Sequence, residues 1–118
     1  MAKAKQFTIE VENRPGAAAH ITKALGAGKV NILALLGTAH GDRGTVQVVV
    51  DNAKKAKKVL AEAGYTAAET AVEQVQLSNT PGALAKHLEK LAAKGVNLNS
   101  IYATASKGSR KATIVLSH

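Results

Sequence analysis

The chain has 118 residues; 46% are hydrophobic, only 3% are aromatic, and there is no cysteine. That size and apolar share suit one ordinary domain or two small ones rather than a disordered chain, and the missing cysteine excludes disulfides, thiolate metal centres and cysteine nucleophiles. Sixteen Lys and Arg against eight Asp and Glu give a net charge of +8, which bears on partners more than on fold. No apolar run is long enough to span a bilayer, and the opening Met-Ala-Lys-Ala-Lys leads into no apolar segment, so a cytoplasmic location is expected.

Phe7, Ile9 and Val11 alternate with Thr8, Glu10 and Glu12, the period of a strand with one wet face. Asn13-Arg14-Pro15-Gly16 stops it, and Ala18, Ile21 and Leu25 follow at helical spacing up to Gly26 and Gly28. Asn31 opens a second strand, Ile32 to about Thr38. His40 to Gly44 reads as a hairpin turn, and Thr45 to Val50 as a buried β-branched strand. Asp51-Asn52 can cap a second helix whose stripe is Ala56, Val59, Leu60 and Ala63. A short strand around Thr66 to Thr70 completes βαββαβ.

Then the phrase returns. Asn79-Thr80-Pro81-Gly82-Ala83 repeats Asn13-Arg14-Pro15-Gly16-Ala17 sixty-six positions later, and the echo stays in step through Leu25/Leu91, Val30-Asn31/Val96-Asn97 and Thr38-Ala39/Thr104-Ala105. A fixed offset of this kind marks one unit used twice. Val75 and Leu77 stand where Ile9 and Val11 stood; a helix with Leu84, Leu88 and Leu91 follows, then strands at about Leu98 to Ala105 and Ala112 to Leu116. The second unit is therefore βαββ, without the last helix and strand. Residues 1–70 and 71–118 form the two units, with no linker between them. Antiparallel sheets with helices on one face are the expected α+β architecture. A bare edge at Glu73 to Leu77, where a fourth strand is missing, invites pairing with a second chain, so a homodimer is expected.

This order of elements, with its Asn-x-Pro-Gly-Ala turns and the Val-Asn at the head of the following strand, resembles the ACT domain family, in particular small proteins made of two ACT units. The resemblance covers about Gln6 to Leu116. It implies ferredoxin-like units and a non-catalytic regulatory protein that binds amino acids and acts with a metabolic enzyme or regulator. It further implies ligand sites at an interface between units, near the first turn and the second strand. By position these are Asn13, Arg14, Pro15, Gly16 and Ala17 with Asn31 and Ile32, and in the second unit Asn79, Thr80, Pro81, Gly82 and Ala83 with Asn97 and Leu98. Arg14 is replaced by Thr80, so the two sites differ chemically.

The residues support such a site on physical grounds. A strand-to-helix turn presents unpaired N–H groups and the positive end of the helix dipole, which suit a carboxylate. Glycine lets a ligand approach the backbone, Asn31 and Asn97 can donate and accept, and Arg14 can clamp a carboxylate. The plainer reading is that Asn13 and Asn79 cap helices and that Pro and Gly shape turns.

Other constellations are set aside. Gly26-Ala27-Gly28-Lys29 ends a helix rather than opening one, so it is no phosphate loop. His20, His40, His87 and His118 show no ligand spacing and read as surface. No nucleophile–base pair is visible, and no cofactor or metal is implied. The central strand lacks the aromatics on which RNA-recognition sheets stack bases, which counts against nucleic acid. The alternative is a basic adaptor that contacts RNA or an acidic protein through Lys54, Lys55, Lys57 and Lys58, its turns purely structural.

Overall fold

A computed structural model describes residues 2–118. It contains six strands and three helices: β1 (Ala2–Glu12), α1 (Ala17–Ala27), β2 (Ile32–His40), β3 (Arg43–Val50), α2 (Ala53–Glu62), β4 (Ala67–Ser78), α3 (Ala83–Ala93), β5 (Ser100–Thr104) and β6 (Lys111–Ser117). The chain divides into two compact units. One is Ala4–Thr70; the other joins Ala71–His118 with the N-terminal residues up to Lys3.

In the first unit the strand order is β2-β3-β1-β4, with β3 antiparallel to both β1 and β2. Register decides which side chains share a face. Phe7 lies opposite Val48 and Ile9 opposite Val46. These residues, with Val50, meet Ile21 and Leu25 of α1 and Ala56 and Leu60 of α2 in one buried core. The period-two pattern of the strands and the helical period of α1 and α2 thus supply the two layers of a single aliphatic interior. Asn52 caps α2, its side-chain oxygen accepting from the Lys55 amide at 3.0 Å. The neighbouring Asp51 serves β2 instead. Its carboxylate accepts from the Asn31 amide at 2.9 Å and ties the head of β2 to the end of β3.

The second unit repeats the scheme in shorter form, β4-β6-β5, with β6 antiparallel to β4 and β5. Its core is smaller. Val75, Leu91, Ile114 and Leu116 are buried, with Leu77, Leu88 and Leu98 partly so. On β5, half-buried Tyr102 has its hydroxyl pushed above the usual phenol range by burial.

Three expectations change. The two strands read at Thr66–Thr70 and from about Glu73 are one continuous strand, β4, with Ala71 and the buried Val72 joining them and no turn between. The flank expected to be bare from Glu73 onward has β1 as a neighbour, because the strand order sets β1 beside β4 on the side away from β6. Within the second unit Lys3 lies with Ala71, Val72 and Glu73 around one hollow. Finally, β5 begins at Ser100, so Asn97 and Leu98 precede the strand rather than open it.

Candidate functional site

The repeated Asn-x-Pro-Gly turns connect β1 to α1 and β4 to α3. Each asparagine does the same job twice over. The Asn13 side chain donates to the Gly41 carbonyl at 2.9 Å and its amide donates to the Asp42 carbonyl at 2.9 Å. In the second unit the Asn79 side chain donates to the Ser109 carbonyl at 2.9 Å and its amide to the Arg110 carbonyl at 2.9 Å. The second hairpin is two residues longer, so these carbonyls are the true counterparts of Gly41 and Asp42 although they stand 68 positions on. The asparagine is a strap from turn to hairpin. It is not the helix cap that the plainer reading supposed. That position falls to Gly16 and Gly82, at φ 88° and 85°, with no side chain bonded to the helix end. The positive φ is what requires glycine, since a Cβ there would meet nothing within 4 Å at either site. Asn13→Ala and Asn79→Ala should each cost about 1 kcal/mol in denaturant titrations, with or without any ligand, since each loses its side-chain strap to the hairpin.

Around the first turn lies a hollow of about 450 Å³. Arg14, Pro15, Gly16 and Ala17 line it from the turn, Glu10, Val11 and Glu12 from β1, and His20, Arg43 and Tyr65 from α1, β3 and the α2–β4 connection. Arg14 Nε stands 3.3 Å from a Glu12 carboxylate oxygen, with both side chains largely exposed. Glu10 accepts from the Thr45 hydroxyl at 3.0 Å, and that hydroxyl also meets His40 Nε2 at 3.1 Å. His20 Nδ1 bonds the Tyr65 hydroxyl, and the two rings meet edge to face with centroids 5.7 Å apart. The wall is thus part aromatic, part ionic, with two carboxylates and two guanidinium groups at its rim.

Beside it is a smaller hollow of about 210 Å³, between the turn and the β2–β3 hairpin, lined by Asn13, Arg14, Ala17, Ala18, Gly37 and Thr38 among others. Its twin in the second unit has about 220 Å³ and is lined by Asn79, Thr80, Leu84, Ala103 and Thr104 among others. The repeat therefore reproduces a concavity as well as a phrase.

The structure does not bring the whole predicted set together. Glu12 pairs with Arg43 and Arg43 with His40, whereas Lys5 pairs with Val50 and Val50 with Ile32. The turn and Asn31-Ile32 thus lie at opposite ends of the first unit's sheet, about seven residues or 23 Å apart along β1. One unit therefore cannot serve a single small ligand from both. Asn31 is exposed, and Ile32 packs against the core. Pro81, Gly82 and Ala83 hold the second turn, Asn97 is exposed, and Leu98 packs against the second core.

Sequence reasoning missed Glu10, His20, Arg43 and Tyr65. The first three were read as strand, helix surface and hairpin. Tyr65 follows Gly64 just beyond α2, and nothing local ties it to the first turn. His87 also departs from expectation. It occupies the position of the fully buried Ile21, is itself half-buried, and its Nε2 is a buried atom without a hydrogen-bond partner. Lys54, Lys57 and Lys58 are exposed, and among the described residues no lysine forms an ion pair.

A split βαββαβ unit followed by a shortened copy, each with an Asn-strapped turn over a concavity, defines a tandem ferredoxin-like module. The chain belongs to the ACT domain family: it matches the family described as an ACT domain pair over residues 2–115. A protein from Bacteroides thetaiotaomicron is similar in structure with a TM-score of 0.88 and 32% identity, over 98% of this chain and 78% of that one. The ligand-free regulatory subunit of aspartate kinase from Thermus thermophilus shares the fold at a TM-score of 0.74 and 22% identity, over 97% and 82% of the two chains. A putative glycine cleavage system transcriptional repressor shares it at 0.50 and 11%, over 98% and 80%. No curated protein matches the chain.

Proposed function

We propose that this chain is a non-catalytic regulatory module that responds to an amino acid, with the ligand held near the Asn-x-Pro-Gly turns. The observation that carries this reading is the hollow at the first turn, where Arg14, Arg43, Glu10 and Glu12 surround a helix start that no side chain caps. A carboxylate and an ammonium group both find counter-charges there. Membership of the ACT family, and a fold shared with a regulatory subunit of aspartate kinase, agree with it. The partner we assign is a metabolic enzyme or regulator in the cytoplasm, met as a homodimer in which the turn of one unit and the Asn31 or Asn97 of another border a common interface. Ligand control then requires different affinities for two arrangements of that interface.

A thermal-shift screen against the standard amino acids tests the reading. A ligand at a hundredfold excess over Kd stabilises by about 2.7 kcal/mol, which is several degrees for a chain this size. One amino acid, or a small related group, should produce that shift. No shift with any of them, together with salt-sensitive RNA binding lost when the α2 lysines are replaced, would favour the basic adaptor instead.

A further inference from the structure

The two units are copies in backbone but not in charge, and the difference has a definite sign. The first hollow carries Glu10, Glu12, Arg14 and Arg43. Their counterparts across the repeat are Gln76, Ser78, Thr80 and Lys111, and His20 is matched by Lys86. The register fixes these pairs: Glu12 lies opposite Arg43 on β1 and β3, as Ser78 lies opposite Lys111 on β4 and β6. The first site is therefore balanced, two carboxylates against two guanidinium groups. The second has kept only cations.

We infer that the chain has one zwitterion site, whose charged groups all come from the first unit, in which Arg14 and Arg43 take a carboxylate while Glu10 and Glu12 take an ammonium group. Arg14 and Glu12 pair with each other at 3.3 Å. Both are exposed, and such surface pairs are weak, so a zwitterion can part them with little loss and satisfy each with its own opposite charge. Glu10 has one oxygen engaged by Thr45, which holds the carboxylate at the rim and leaves the other for the ligand. In the second unit Gln76 and Ser78 carry no charge to attract an ammonium group, and Lys86 with Lys111 repels one. That copy is left as the scaffold that carries the strap of Asn79. This inference rests on the amino-acid reading above and adds its stoichiometry and the role of Arg43 and Glu10.

The test is a titration of the isotopically labelled full chain with each standard amino acid, followed by NMR of the backbone amides, with calorimetry for stoichiometry. One equivalent should bind per chain, moving the amides of Gly16, Ala17 and His20 and leaving those of Gly82, Ala83 and Lys86 in place. Arg43→Gln and Glu10→Gln should each weaken binding about tenfold or more, and Lys111→Gln should change it by less than about twofold. The des-amino analogue of the bound amino acid should bind about tenfold more weakly than its parent. Two equal sites, movement at Gly82 at the same concentration, or wild-type affinity in Arg43→Gln or Glu10→Gln overturns the single site while the amino-acid reading stands. No response to any amino acid overturns the amino-acid reading, and the single site with it.

Discussion

Leu25→Ala should destabilise the first unit by about 4 kcal/mol, near the upper end for a buried leucine, while Leu91→Ala should cost the second unit only about 2 kcal/mol. The two leucines are counterparts in the repeat, so identity and helix position are held constant. Their surroundings differ. Leu25 has no exposed surface and belongs to a cluster of ten buried residues, whereas Leu91 is 8% exposed in a cluster of four. A cavity at Leu25 is walled by two helices and the sheet and relaxes little. At Leu91 only one helix covers the strands, and the gap can be closed by small movements or reached by water. Denaturant unfolding followed by a probe in each unit, or hydrogen exchange resolved by residue, gives the comparison, because a single global midpoint need not describe a two-unit chain. Equal losses at the two positions would mean that the cores are equally closed.

How much of this was readable from the chain depends on the range of the interaction. The duplication, the order of elements in each unit and the core residues Phe7, Ile9, Ile21 and Leu25 follow from periodicity and from the echo at a fixed offset, both local signals. The continuity of β4 did not follow, because Ala68 to Ala71 are all exposed and no period-two pattern runs through them to Val72. The site was half legible. Arg14 to Ala17 line the hollow as the motif suggested, but Arg43 and Tyr65 reach it only through strand register and the return of the chain after α2. The capping role weighed for Asn13 failed for a related reason. Its partner, the Gly41 carbonyl, is 28 residues away, and no local pattern announces such a bond.

Gly28→Ala should lower stability by about 1–2 kcal/mol, and the same change should become neutral or stabilising once Val59 is also alanine. Gly28 has an ordinary φ of −82°, so the backbone places no demand for glycine and the constraint is steric. A Cβ there would overlap Cγ2 of Val59, which α2 lays against the end of α1. Valine in a helix has little rotamer freedom with which to yield. With Val59 shortened to alanine the overlap goes, and the residual effect of Gly28→Ala is the loss of unfolded-chain entropy, worth about 0.4–1 kcal/mol in favour of the fold. The reversal of sign between the two backgrounds is the measurement, and a cost that persists in the Val59→Ala chain would refute the steric account. The counterpart of Gly28 in the second unit is Lys94, an exposed residue at the end of α3. The second unit thus has no small residue at the place where the first unit admits its second helix. A copy of α2 laid against α3 in the same way would meet a lysine side chain where the first unit offers a gap.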